Sequence, residues 1–321
     1  MDAALNMLAG NLLAPTILFF ILGLAAAIAR SDLSIPEGAA KIMSIYLLFA
    51  IGFKGGANLI SNGLGWQTLS TLIAGGVLSF VLPFIAFHLL KLMTQLDDLN
   101  AAAVAGHYGS ISIVTFVTAT SLLELNGIDS EGYLVAVAAV MEVPAILSAL
   151  WIAGSKGNAA HSKNKLMRDI LGNGSIVLLV GAFIIGAITG QEGLDELDPF
   201  IVVPFTGILC IFLLDMGLSA GRSLLEHRKS LTAGLFAFGI LMPLISAILG
   251  YGAGRIVGLS DGGVFLMMVL SASASYIAVP AAMKIALPQA QSGIYLTMSL
   301  GVTFPFNIAL GLPLYLWIAM L

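Results

Sequence analysis

Ten long apolar runs, separated by short stretches that hold nearly all of the charge, limit what this chain can fold into. They lie near 12–29, 40–57, 68–91, 99–123, 132–153, 174–190, 200–220, 231–254, 262–283 and 292–320. Most are long enough to cross the roughly 30 Å of hydrocarbon in a bilayer as a helix. The runs are unbroken rather than alternating, so the backbone closes its hydrogen bonds inside helices and not around a β-barrel. Only 9% of the 321 residues are charged, against roughly 25% in a soluble domain. The expected fold is therefore an all-α membrane protein with ten transmembrane helices, in a bacterial inner membrane. A net charge of −4 without a basic tract argues against a nucleic-acid partner, and the single cysteine, Cys210, excludes a disulfide framework. The first basic residue is Arg30, so the opening segment lacks the positive region of a cleavable signal.

Charge also orients the chain. With the N-terminus outside, the cytoplasmic loops hold Arg30, Lys41, Lys91, Lys156, Lys163, Lys165, Arg168, Arg222, Arg228, Lys229 and Lys284. The other side keeps only Lys54 and Arg255, while Glu192, Asp195, Glu196 and Asp198 share one of its loops. Basic residues accumulate on the cytoplasmic side, so both termini are expected outside. Trp66, Trp151 and Trp317 fall near span ends and read as interfacial anchors.

The chain also resembles itself. Gly52-Phe-Lys-Gly-Gly56 aligns with Gly217-Leu-Ser-Ala-Gly221 at an offset of 165, which also carries Ser110 onto Ser275. Leu82-Pro83-Phe84 matches Met242-Pro243-Leu244, and Val143-Pro144-Ala145 matches Phe304-Pro305-Phe306, at offsets of 160 and 161. Two five-helix halves are expected, residues 1–155 and 174–321, joined by a basic cytoplasmic linker over 156–173. An odd number of spans per half makes the second enter from the opposite face, an inverted repeat of the kind found in secondary transporters. The GxxxG spacings within it read as helix packing.

Segments 4 and 9 stand apart, because Ala105-Gly-His-Tyr-Gly-Ser-Ile-Ser112 and Ser271-Ala-Ser-Ala-Ser-Tyr-Ile-Ala-Val-Pro280 are small, hydroxyl-rich and marked by Gly or Pro at mid-span. Such stretches unwind readily, and small residues in membrane helices otherwise serve close packing. Their recurrence in both halves favours a site: discontinuous helices 4 and 9 whose free amides, at the starts of the second half-helices, suit an anion. The candidate substrate residues are Gly109, Ser110, Ile111, Ser112, Ala274, Ser275 and Tyr276. Released carbonyls, with Thr115 and Ser273, suit a small cation such as Na⁺. Glu142 and Asp215 are the acids furthest from the loops, able to bind a cation, relay a proton, or pair with Lys54 or Lys284. A lone histidine is more often structural than titrating, so His107 reads first as a hydrogen-bonded element of the break. Walker A, HExxH and CxxC motifs are missing, so neither ATP-driven transport nor an enzyme is expected.

On these residues the chain resembles the sodium-dependent bicarbonate permeases of cyanobacteria and other bacteria. The resemblance runs through Leu47-Leu48, Ile51-Gly52 and Gly55-Gly56, then Gly106 to Ser112 with Thr115, and Glu142-Val-Pro-Ala145. It continues through Met216-Gly217, the serine run to Pro280, and Pro305 to Pro313-Leu-Tyr315. It implies a ten-helix inverted repeat, a homotrimer, bicarbonate where helices 4 and 9 cross, Na⁺ as coupling ion and no other cofactor, and association with a PII-like regulatory protein. The cyanobacterial pattern carries an acid where this chain has Tyr276, and a longer central linker. The leading expectation is a Na⁺-coupled symporter for bicarbonate or a similar small anion. The rivals are a cation/proton antiporter using Glu142 and Asp215, and a membrane anion sensor that does not transport.

Overall fold

The computed structural model describes residues 13–62, 65–155, 174–227, 231–276, 279–280, 282–283 and 287–321. The expected linker and Lys284 lie outside the described residues. Every regular element among them is a helix. They are α1 (Pro15–Ile28), α2 (Glu37–Asn62), α3 (Trp66–Met93), α4 (Asp98–His107), α5 (Ile113–Leu125), α6 (Leu134–Val140), α7 (Glu142–Ser155) and α8 (Gly174–Ile201). There follow α9 (Phe205–His227), α10 (Ala233–Ile256), α11 (Asp261–Ala272), helical residues at 279–280 and 282–283, and α12 (Ser292–Ala319).

Six of these stretches are long and apolar enough to cross a bilayer: α2, α3, α6 with α7, α9, α10 and α12. The chain is a multi-pass helical membrane protein. α1, α5 and α11 are apolar but shorter. α5 is short because the run at 99–123 divides into α4 and α5, and α11 because the run at 262–283 stops at Ala272. Apolar side chains outside the core, such as Phe19, Leu22, Ile73, Ile184 and Ile248, are exposed, as expected of surfaces that face lipid.

Two long helix pairs are held at close range by glycine. α2 lies along α8, where a methyl group on Gly56 would fall 1.9 Å from the Phe183 carbonyl oxygen and one on Gly186 would fall 2.1 Å from that of Phe53. α1 lies along α9, where Gly23 and Gly217 would meet the Leu214 and Phe20 carbonyls at 2.1 and 2.2 Å. Gly56, Gly217 and Gly221 of the expected GxxxG spacings therefore serve packing. α3 packs on α4 and α7, while α10 packs on α11, α3 and the first half of α12.

Three sequence expectations change. The acids Glu192, Asp195, Glu196 and Asp198 form no loop. The run breaks at Gly190, whose φ of 61° only glycine adopts readily, and α8 resumes as an amphipathic turn with Leu194 and Leu197 against the core. α2 runs on to Asn62, so Lys54 sits well inside the helix rather than at its end. Lys54 pairs with Glu124, not with Glu142 or Asp215. Trp66 and Trp151 are exposed, as expected of anchors.

The buried side chains form two cores. One gathers α1, α2, α5, α6, α9, α11 and the second half of α12; the other gathers α3, α4, α7, α10 and described residues between Ala274 and Val302. They meet at the two helix breaks, since Tyr108 belongs to one core and Ile111 to the other, and likewise Ala274 and Ala272. Because the α1–α9 contact has no room for a side chain, Gly217→Val should lower the thermal transition in detergent by about 1–3 kcal/mol of stability. Gly181→Ala adds a methyl that meets nothing within 4 Å and should hold or raise the transition. Melting both variants beside the parent protein checks this.

Candidate functional site

Where the cores meet, the two interrupted helices bind each other. α4 ends at His107, and residues 108–112 run irregularly until Ser112 caps α5, its hydroxyl accepting the Thr115 amide at 3.2 Å. The Thr115 hydroxyl donates to the same oxygen at 2.9 Å. α11 ends at Ala272 in the same way, and the Ser275 hydroxyl then accepts the Val279 amide at 3.4 Å where helix resumes. Serine is favoured at such helix starts because its side chain satisfies an amide that the first turn leaves unpaired.

Three bonds cross between the breaks. The Ser112 amide donates to the Ser273 hydroxyl at 2.9 Å, and the Ser275 amide donates to the His107 carbonyl at 2.9 Å. The His107 ring closes the third through Nδ1 and the Ser275 carbonyl. A carbonyl oxygen only accepts, so Nδ1 carries the proton and Nε2 presents a lone pair. Nε2 is buried with no hydrogen-bond partner among the described residues, and the ring stacks on Tyr295 at 4.8 Å.

Surrounding helices fix the breaks through groups that proline sets free. Pro83 has no N–H, so the Ser79 carbonyl four residues earlier has no helical donor. Gly109 lies against it, where a methyl group would fall 2.5 Å from both Pro83 and that carbonyl. The Ser79 hydroxyl bonds to the Met141 carbonyl and accepts the Ala145 amide at 3.1 Å, wedging open the junction of α6 and α7. Pro243 likewise frees the Gly239 carbonyl, which accepts from the Thr303 hydroxyl at 2.8 Å. That uses the only proton of Thr303, so Tyr108 is the donor in their 2.7 Å bond. In α12 the helix widens to π-turns at Thr297–Thr303 and Asn307–Gly311. Asn307 reaches the Ala272 carbonyl at the end of α11 at 2.9 Å and accepts from Tyr315 at 3.0 Å.

Most of the expected site residues converge. Gly109, Ser110, Ile111 and Ser112 form one break, and Ser273, Ala274, Ser275 and Tyr276 the other. Ser110 donates to Glu142, which begins α7 and is buried. The Tyr276 hydroxyl approaches Ser112 without closing a hydrogen bond, and its ring packs on Phe304 at 5.0 Å. Thr115 is bound to the Ser112 cap. Asp215 lies apart on α9, and no hydrogen bond joins it to the breaks among the described residues. The amides of Ser112 and Ser275 are bonded across the breaks.

Sequence reading passed over Ser79, Tyr108, Thr303 and Asn307. The signal was present in part: Ser79 stands four residues before Pro83, and Thr303 and Asn307 flank Pro305 inside an apolar run.

Chemically the crossing is a buried set of hydroxyls, backbone amides and carbonyls, with the Glu142 carboxyl and the His107 imidazole among them. Oxygen donors of this kind suit a hard monovalent cation, and capped helix starts suit an anion. Asn307→Leu leaves the Ala272 carbonyl and the Tyr315 hydroxyl without partners and should cost about 1–3 kcal/mol for each group, read as a lower melting transition in detergent.

A family model described as the Na⁺-dependent bicarbonate transporter superfamily matches residues 15–320. No curated protein matches the chain.

Proposed function

The chain belongs to the Na⁺-dependent bicarbonate transporter superfamily, and from that premise we propose that it couples sodium to the uptake of bicarbonate or a similar small anion. The observation that carries this reading is the crossing of two interrupted helices by reciprocal bonds from the Ser112 and Ser275 amides. An oxyanion entering between them takes the places of the Ser273 hydroxyl and the His107 carbonyl. Each amide keeps an acceptor throughout and the Ser273 hydroxyl keeps its bond to the Leu270 carbonyl, so the exchange leaves no buried donor unsatisfied and releases only the His107 carbonyl. The anion is held by Gly109, Ser110, Ile111, Ser112, Ala274, Ser275 and Tyr276, without a buried arginine.

Sodium binds to carbonyls released at the same breaks, with Thr115, Ser273 and Glu142 as helpers. Its charge offsets that of the anion, which makes joint occupancy more favourable than either ion alone. α4, α5 and α11 move as a block against the glycine-locked pairs α1–α9 and α2–α8.

We propose further that ten spans form two inverted five-helix repeats, residues 1–155 and 174–321, with both termini outside in an inner membrane. The pairing of helices supports this. Numbering the ten expected segments in order, the repeat carries segment 2 onto 7 and 6 onto 1. The contact of α2 with α8 thus becomes that of α9 with α1. In the same way α3 with α4 becomes α10 with α11, and α3 with α7 becomes α10 with α12. An antiporter using Glu142 and Asp215 lacks such support, because Asp215 has no bond to the crossing among the described residues.

In proteoliposomes, an inward sodium gradient should drive accumulation of labelled bicarbonate and an equal potassium gradient should not. Ser110→Val with Ser275→Val should abolish uptake in protein that still elutes as a folded species. Glu142→Gln should raise the sodium concentration for half-maximal uptake about tenfold or more, the effect of losing one charged ligand. Equal uptake under both gradients, or an unaffected double variant, would contradict the proposal.

A further inference from the structure

A cavity of about 270 Å³ lies between α2 with α9 on one side and α5 with α11 on the other, away from the crossing itself. Its wall follows α5 from Phe116, one turn beyond the Ser112 cap, to Glu124 in the last turn. The eight steps from Phe116 to Glu124 span about 12 Å at the helical rise, so the cavity leads from one face of the molecule toward the site. Lys54 of α2 is the one basic residue lining it among the described residues.

The ion pair inside this cavity is lopsided. The Lys54 side chain is 19% exposed, and its ammonium lies 5.3 Å from the centre of the Phe205 ring; its partner, Glu124, is 51% exposed. A cation so far withdrawn from water needs a counter-charge, and the face of Phe205 supplies only part of one. Glu124 can turn out to solvent at small cost, because a half-exposed carboxylate is already hydrated. Lys54 cannot follow it. A carboxylate-like anion in the cavity therefore exchanges with Glu124 for the same ammonium, one O–C–O group for another.

The other charges facing Lys54 set the valence of that anion. Glu131 is held by the Ser260 amide at 2.7 Å and the Ser260 hydroxyl at 3.0 Å, at the start of α11, and Asp129 stands on the connecting loop. With Glu124 they make the lining net negative. Once Glu124 turns away, the single ammonium neutralises one monoanion, whereas a dianion would leave a second charge uncompensated beside these acids.

We propose that Lys54 is a docking site for one small monovalent oxyanion on its way to the crossing, with Glu124 as the counter-ion that the anion displaces. This deepens the proposed function and rests on it for the identity of the anion. It can be tested without transport.

The test is line broadening of ¹³C-bicarbonate by purified protein carrying Ser110→Val and Ser275→Val, which removes the crossing as a binder. Broadening should persist in this background. Lys54→Gln should weaken it about tenfold or more in apparent affinity, Lys54→Arg should retain most of it, and Glu124→Gln should strengthen it. Broadening that Lys54→Gln leaves unchanged, or that falls alike in Lys54→Gln and Glu124→Gln, would overturn the docking site, the second result marking the pair as a structural tie. Should Lys54→Gln not fold, the Glu124→Gln comparison decides alone. Absence of sodium-driven uptake by the parent protein would instead count against the proposed function, whatever the broadening.

Discussion

Breaking a helix inside a membrane exposes backbone amides and carbonyls where no water can serve them, and each such group costs several kcal/mol if left unpaired. The rest of this structure follows from how that demand is met. The two breaks satisfy each other: Ser112 reaches Ser273, and Ser275 is bound at both its amide and its carbonyl by His107. Neither interruption is stable in hydrocarbon alone, and together they need little outside help. A ligand that offers the same acceptors can replace the protein's own, so the demand that holds the crossing together also makes it receptive.

Proline extends the same logic to the neighbouring helices. Pro83 and Pro243 each strip a carbonyl of its donor, and the freed groups are turned toward the breaks rather than toward lipid. Gly109 fits against one, and Thr303 fills the other while receiving Tyr108. Asn307, presented by the widened turns of α12, closes the end of α11. The neighbouring helices thus meet the crossing through directed hydrogen bonds as well as packing, while α1–α9 and α2–α8 are held by glycine contacts at backbone range. Hydrogen bonds that a ligand can exchange fit the part assigned to the breaks, the part that moves.

Much of this was legible in the sequence because hydrocarbon imposes a simple code. Apolar runs marked the helices, and the paired clusters around Ser110 and Ser275 marked the breaks. What escaped was long-range and geometric. Nothing in the local pattern says that Lys54 faces Glu124 across 70 positions, or that the acids after Gly190 fold back as helix. His107 was legible as a residue type but not as the tie between the breaks, since that depends on which segment lies opposite. Periodicity also cannot say whether an amide at a break is free or already bonded, and here the neighbours bond it. Ser79 and Asn307 illustrate the middle case: polar residues near proline in an apolar run signal a partner, without naming it.

The account reduces to one claim, that bicarbonate and sodium bind together at the crossing and replace its internal bonds. A ligand bound only by the folded state raises stability by an amount set by its concentration over its Kd, about 2.7 kcal/mol at a hundredfold excess. The direct measurement is the melting transition of the purified protein in saturating bicarbonate, with sodium or with potassium at equal ionic strength. The account predicts a rise that needs bicarbonate and sodium together and disappears in Ser110→Val with Ser275→Val. The same rise in potassium, or one that survives the double substitution, would contradict it.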